Sequence, residues 1–354
     1  MSVVRGLVLV YLATTGCGKV VPGAMGDAGL LGDGGAGDSP IPGDASPDLD
    51  SHLQAATGWN IELFVDLTAA GFAYNRSDFV DNGTVSNQPR YVAALYPPFS
   101  SSLAVLAGRT VIEVAPDHSA HLHSFSPAGG ADKGGPDMLG RATFANLGQA
   151  QSGLWVTSSS QGSGDGLYLI DDQWAISRMS SENNTYALAL DPTGAYDSVG
   201  SAALYVSVGV TAVERWTAAL ASVFAAPAGV EEFAIANGAL FMTTEATDTA
   251  PVELDRVGPG TSHTITALKT SQDLVLAEGS TTKDLYAIQD DAQLVTVSQT
   301  DGALTRDAWT SDPDWTWISV SAPRGDHATL AGKLIVLESN RTLNRDRLLL
   351  ITPP

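Results

Sequence analysis

Cysteine is almost missing from this chain. A single one, Cys17, stands among 354 residues, which excludes an internal disulfide, a cysteine-based zinc site and an iron–sulfur cluster. Its thiol is left to be buried, reactive or modified. Basic residues are scarce as well. There are 18 Lys and Arg against 39 Asp and Glu, a formal net charge of −21. So acidic a surface repels phosphate backbones and anionic headgroups, which argues against nucleic acid as a partner; solubility is the plain use of the charge. Long apolar runs are absent near the N-terminus: residues 6–13 (GLVLVYLA) would extend roughly 12 Å as a helix, while a bilayer core takes about 20 apolar residues. No stretch rich in Ala, Glu, Lys and Leu with helical period occurs. The chain also lacks a Gly-x-Ser-x-Gly elbow, a Walker loop and a His-Glu-x-x-His pair, so no familiar catalytic motif assigns a reaction.

What is abundant is turn chemistry. The 36 glycines and 18 prolines suit a β protein with many short strands, and the length is ample for a core built without disulfides.

The N-terminus reads as an address. Arg5 precedes the apolar run, and Thr14, Thr15 and Gly16 lead into Cys17. A positive start, a short apolar core and small residues make a secretory signal over residues 1–16. The ending resembles the lipobox of bacterial lipoproteins, although Thr14 stands where that family usually carries Leu. The resemblance implies that Cys17 receives a diacylglycerol and becomes the acylated first residue of the mature chain. Gly18 stands where an Asp would resemble an inner-membrane retention signal, which points to the outer membrane of a bacterial cell envelope. Stable anchoring needs more than one acyl chain, and a lipoprotein terminus supplies them. An ordinary signal peptide followed by an incidental thiol is the plainer alternative.

Residues 17–56 are dominated by Gly, Ala, Asp, Pro and Ser and hold no aromatic residue. Such a segment cannot bury enough apolar area to offset its ordering entropy, so a disordered, flexible linker is expected. Its aspartates do not follow the spacing of a calcium-binding loop. From Trp59 onward aromatics appear, and a single folded domain is expected over residues 57–354.

That body repeats. Leu103, Leu154, Leu204, Leu240, Leu285 and Leu334 each open a short β-rich run: LAVL, LWVT, LYVS, LFMT, LYAI and LIVL. Further strand-like runs follow several of them, at residues 111–114, 166–170, 212–216 and 294–297, with a third at 121–125 and 221–225. A spacing of about 40–50 residues with several strands per unit predicts an all-β, single-domain β-propeller. Six blades fit, and a seventh fits if residues 59–100 form a whole blade. The apolar strand at 347–352 and that at 60–66 could pair and hide the edges of the ring. The segment from Leu188 to Gly194 (LALDPTG), with LYVS at 204–207 and VERW at 213–216, resembles the blade repeat of NHL-type and SMP-30/gluconolactonase-like propellers. The turn Ala115-Pro-Asp-His-Ser119 resembles their Asp-Pro-Asp-Gly turn, with His118 in place of Gly.

Candidate site residues are few. His121 and His123 share a face if 121–125 is a strand, and with His118 they could ligate zinc; solvated imidazoles on an outer strand are the bland alternative. The SMP-30/gluconolactonase resemblance implies a divalent metal, calcium or another, held in the central mouth by Glu, Asn and Asp side chains. Asp191, Glu231, Asn237 and Asp273 are of the right types, but none falls in a matching motif. Trp315 and Trp317 could stack on a sugar or peptide, or pack between blades. The Gly-rich piece 129–136 with Lys133 reads as a long loop over one face. The expectation is a monomeric, membrane-anchored binding module for a protein or glycan, with no confident cofactor. A metal-dependent hydrolase of the SMP-30 kind is the alternative.

Overall fold

The structure, a computed structural model, describes residues 51–68, 78–80, 83–85, 89–125, 139–148, 151–158, 164–182, 185, 187–245, 251–260, 262–271, 274–277 and 284–354. Among them there is no helix; the strands build six antiparallel blades around a closed ring. Blade 1 is Pro89–Ala94, Leu103–Ala107, Thr110–Val114 and Ala120–Ser124, inner strand first. Blade 2 is Ala142–Asn146, Ser152–Ser158, Gly166–Ile170 and Ile176–Ser180. Blade 3 is Leu188–Asp191, Ala203–Val208, Ala212–Trp216 and Leu220–Ala225. Blade 4 is Gly229–Ala236, Ala239–Glu245, Val252–Val257 and Ile265–Ser271. Blade 5 is Leu274–Leu276, Leu285–Gln289, Gln293–Val297 and Leu304–Thr310. Blade 6 is Trp315–Ser321, Leu334–Asn340 and Arg345–Thr352, completed by Asn60–Asp66 from the other end of the chain.

All six Leu-led runs are second strands of their blades. They read as continuous apolar runs because both faces of a blade are covered by its neighbours, so period-two alternation is lost. In blade 3, Leu204 and Val206 pack toward Trp155 and Leu169 of blade 2, while Tyr205 packs toward Phe233 and Met242 of blade 4. Comparable apolar layers lie between blades 4 and 5, between 5 and 6, and across blades 6, 1 and 2. Small residues concentrate where the blades converge: Ala93, Ala94, Ala145, Ala189, Ala234, Ala236 and Ala277 are all buried on or beside inner strands. Blades radiating from an axis leave least room near it, and alanine fits that taper.

Closure is made by strand exchange. Ile61 faces Ile351 and Leu63 faces Leu349 in an antiparallel register, so the first and last strands share one sheet and Arg345–Thr352 is not left as the outer edge of blade 6. Residues 59–100 therefore do not form a seventh blade. They contribute the outer strand of blade 6, a two-stranded hairpin of Asp78–Val80 and Gly83–Val85, and the inner strand of blade 1. The pairing also begins earlier than residue 57: Leu53–Ala55 adds a fifth strand to blade 5, with Leu53 opposite Thr310.

The resemblance-bearing segment of blade 3 is an inner strand and its turn. Asp191 Oδ1 accepts from the backbone N–H groups of Thr193 and Gly194, and Oδ2 from that of Tyr196. Gly194 has φ +66°, and a Cβ there would meet the Ser201 carbonyl oxygen at 2.0 Å. Only glycine combines that dihedral with that close approach.

Candidate functional site

Each blade is an antiparallel meander that hands the chain from its outer strand to the next inner strand. All inner strands therefore run the same way along the central channel. The end at which they begin is taken as the upper end, and the end at which they finish as the lower.

At the upper end the channel is bridged. Arg141, just before the inner strand of blade 2, ion-pairs with Glu232 on the inner strand of blade 4. Blade 3 lies between those two blades, so the contact passes across the axis. The Arg141 guanidinium also lies 4.3 Å above the ring of Tyr91 on the inner strand of blade 1. One side chain thus ties three blades together. At the lower end Arg324, in the loop after the inner strand of blade 6, lies 3.8 Å over the Tyr96 ring. It donates to the Phe144 carbonyl at 3.2 Å, joining blades 6, 1 and 2. Nothing in the sequence marked these arginines, because the partners are distant in the chain and belong to no motif.

The expected histidine cluster does not converge. His118 occupies the turn between the third and fourth strands of blade 1, at φ +70°, with its ring 4.7 Å from Phe64. His121 is exposed. His123 stacks on Trp174 at 3.6 Å and lies 3.2 Å from Glu113 Oε2. Burial would raise the Glu113 carboxyl, but the bonds from His123, Ser102 and Ser100 outweigh it and hold the group below its ordinary value. Among the described residues no three His, Cys, Asp or Glu side chains come together to hold a metal; His118 packs on Phe64 and His123 on Trp174.

The two tryptophans are both buried. Trp315 is 3% exposed, with the His52 ring stacked on it at 4.9 Å and the Arg347 guanidinium 4.0 Å from its centroid. Trp317 is fully buried and its Nε1 donates to Glu338 Oε1 at 3.0 Å. His52 Nε2 reaches the same oxygen at 3.0 Å, and Arg347 pairs with the other carboxylate oxygen. Trp317 has no exposed surface, whereas Trp315 lines a cavity of about 330 Å³ with Asp290, Asp291 and Asp312. A second polar cluster, also unmarked in the sequence, joins blades 3 and 4. Asp197 accepts from Tyr205 at 2.8 Å and from Arg215 at 3.1 Å, and lies 2.8 Å from His263 Nε2. Burial, with the Asp197 charge adding to it, pushes the hydroxyls of Tyr205 and Tyr196 up.

The metal implied by the SMP-30/gluconolactonase resemblance does not fit the residues suggested for it. Glu231 lies near the upper end of its inner strand, whereas Asp191 closes a turn at the lower end and Asn237 occupies the lower hairpin turn after Ala236. Asp273, Cys17 and Lys133 lie outside the described residues.

Fold and site together define a six-bladed β-propeller whose channel is braced at both ends by arginine. No protein-family model matches the chain, and no curated protein does. Among solved structures it is similar to a proposed oxidoreductase (glucose dehydrogenase) from Thermus thermophilus. That pair shares 12% identity over 83% of this chain and 100% of the other, with a TM-score of 0.51. It is also similar to the PQQ-bound aldose sugar dehydrogenase from Streptomyces coelicolor, at 12% identity over 84% and 100% with a TM-score of 0.48. A proposed gluconolactonase matches at 12% identity over 87% and 95%, with a TM-score of 0.47. At 12% identity the likeness to the first bears on the fold alone.

Proposed function

We propose that this chain is a lipid-anchored propeller of the bacterial cell envelope, held at the outer membrane through Cys17 and acting as a monomeric binding module for a protein or glycan. One observation carries the binding reading over a catalytic one. At the upper end of the channel Arg141 sits against Glu232. A cation site needs several oxygens converging at about 2.3–2.6 Å for calcium, and an arginine against the carboxylate opposes that. The metal-dependent hydrolase remains the second reading only through the resemblance of the blade repeat.

Two measurements test the proposal. Labelled palmitate should be incorporated into the full chain expressed in a bacterial host and be lost in Cys17→Ala; equal labelling of both sinks the anchor. The purified chain should carry no stoichiometric divalent metal, and its thermal midpoint should not move with chelator or added calcium. A bound metal at one equivalent would restore the hydrolase reading.

A further inference from the structure

A groove of about 310 Å³ opens at the lower end between blades 6 and 1. That volume lies at the small end of ligand pockets, which run from about 300 to 1,000 Å³. Its floor is apolar: Phe64, Leu330 and Leu350 are each buried, at 8%, 4% and 5% exposure. Its rim carries Glu62, Lys333 and His118. Among the described residues neither the Glu62 carboxylate nor the Lys333 ammonium has a hydrogen-bonding or ion-pair partner, although both line the same cavity. Elsewhere among the described residues Arg141, Arg215, Arg324, Arg345 and Arg347 make ion pairs. Only 18 residues of 354 are Lys or Arg. A lysine and a glutamate, neither paired among the described residues, thus stand on one rim over an apolar floor. The His118 ring closes one side against Phe64, at 4.7 Å, from a backbone φ of +70°.

We propose that this groove binds a small zwitterion with an apolar side chain, an amino acid or a dipeptide. The apolar side chain lies on Phe64, Leu330 and Leu350, the carboxylate meets Lys333, and the ammonium meets Glu62. The pairing follows from complementarity. A fatty acid would leave Glu62 facing an apolar chain, and an amine would leave Lys333 facing like charge, each at a cost. The inference goes beyond the protein-or-glycan reading, because its ligand is a small zwitterion, and it does not rest on the lipid anchor.

The test is isothermal titration of the full chain with L-leucine and L-leucyl-L-leucine. Binding of either at one site is expected, and the stronger of the two identifies the size of the ligand. N-acetyl-leucine, which lacks the ammonium, and leucine amide, which lacks the carboxylate, should each bind about tenfold more weakly, since each loses one charge-assisted bond. Glu62→Gln and Lys333→Gln should reproduce those losses separately. Glu62 is exposed and Lys333 half-buried, so both variants keep the fold, which an unchanged thermal midpoint verifies. His118→Gly, which puts the repeat's usual residue at the left-handed position, should keep the fold while weakening binding. No heat with either ligand, equal binding of the capped ligands, or indifference to both Gln variants overturns the proposal. Absence of Cys17-dependent palmitate labelling with leucine binding intact would sink the anchor alone; Cys17-dependent labelling without leucine binding would sink the groove alone.

Discussion

At the scale of single residues, the charges that matter here are structural. Glu338 is fully buried and receives Trp317, Arg347 and His52 at once. Removing one partner of such a cluster strands the others without solvent. Glu338→Ala is therefore expected to cost about 3–5 kcal/mol, well above the ~1 kcal/mol of an exposed pair. Chemical denaturation checks this, with the exposed Asp326 as comparison: Asp326→Ala, which loses only an exposed pair with Arg324, should stay near zero. His327 supplies a second residue-level test. It is 2% exposed, and its Nδ1 accepts from the backbone N–H groups of Leu330 at 3.2 Å and Thr329 at 3.3 Å. Both bonds require Nδ1 to be unprotonated. Burial holds its pKa below the ordinary 6.5. The unfolded chain therefore takes up a proton near pH 6.5 that the folded one refuses. Stability is full above that pH and declines as pH falls toward the lowered folded value. Denaturation midpoints measured from pH 7.5 to 5 should fall in wild type, and the slope should flatten in His327→Gln. A slope unchanged by the substitution would place the effect elsewhere.

Elements of this fold are governed by a few obligatory turns and by burial on two sides. Gly194 stands for the turns. Gly194→Val puts a Cβ 2.0 Å from the Ser201 oxygen at φ +66°, and a loss of more than about 2 kcal/mol is expected. Gly200 has φ +71° but open space around it; Gly200→Ala should cost only the roughly 1 kcal/mol of the left-handed backbone. Comparing the two separates steric from dihedral strain. Second strands such as Leu285–Gln289 were legible in sequence because both faces are covered and the first four positions, LYAI, are apolar. Leu53–Ala55 was not legible. Its residues LQA sit at the end of a Gly/Ala/Asp/Pro segment, and what makes them a strand is the free edge of Leu304–Thr310, which local composition does not report. The same holds for the channel. Arg141 and Glu232 are 91 positions apart in chain numbering and meet only because the ring brings blades 2 and 4 to one axis. The pattern of strands carries the architecture, whereas a pair set by closure has no local signature. His121 and His123 illustrate the converse: the spacing was right for a shared face, but a shared face on an outer strand supplied Trp174 and Glu113 as neighbours instead of a metal.

At the scale of the whole molecule, everything depends on the N-terminal strap that closes the ring. Residues 51–66 do two separable jobs. Leu53–Ala55 and His52 cover the edge of blade 5 and pin Trp315, whereas Asn60–Asp66 completes blade 6. A chain lacking residues 1–56 keeps the closure. It should stay monomeric and lose about 1–3 kcal/mol, the cost of leaving Glu338 one partner short and Trp315 exposed on one face. A chain lacking residues 1–67 is different in kind. Arg345–Thr352 then becomes an open edge, with Leu348, Leu349, Leu350 and Ile351 losing a layer that now keeps each of them at 5% exposure or less. An apolar edge strand pairs with whatever strand it meets, so this chain should associate on size-exclusion chromatography. The net charge of −21 opposes that association at long range, so adding salt should worsen it by screening the repulsion. A synthetic peptide of residues 57–68 should restore the monomer by filling the vacant register, with Ile61 again opposite Ile351. If the shorter chain remains monomeric and melts like the full one, strand exchange is dispensable and the ring is held by its interblade layers alone.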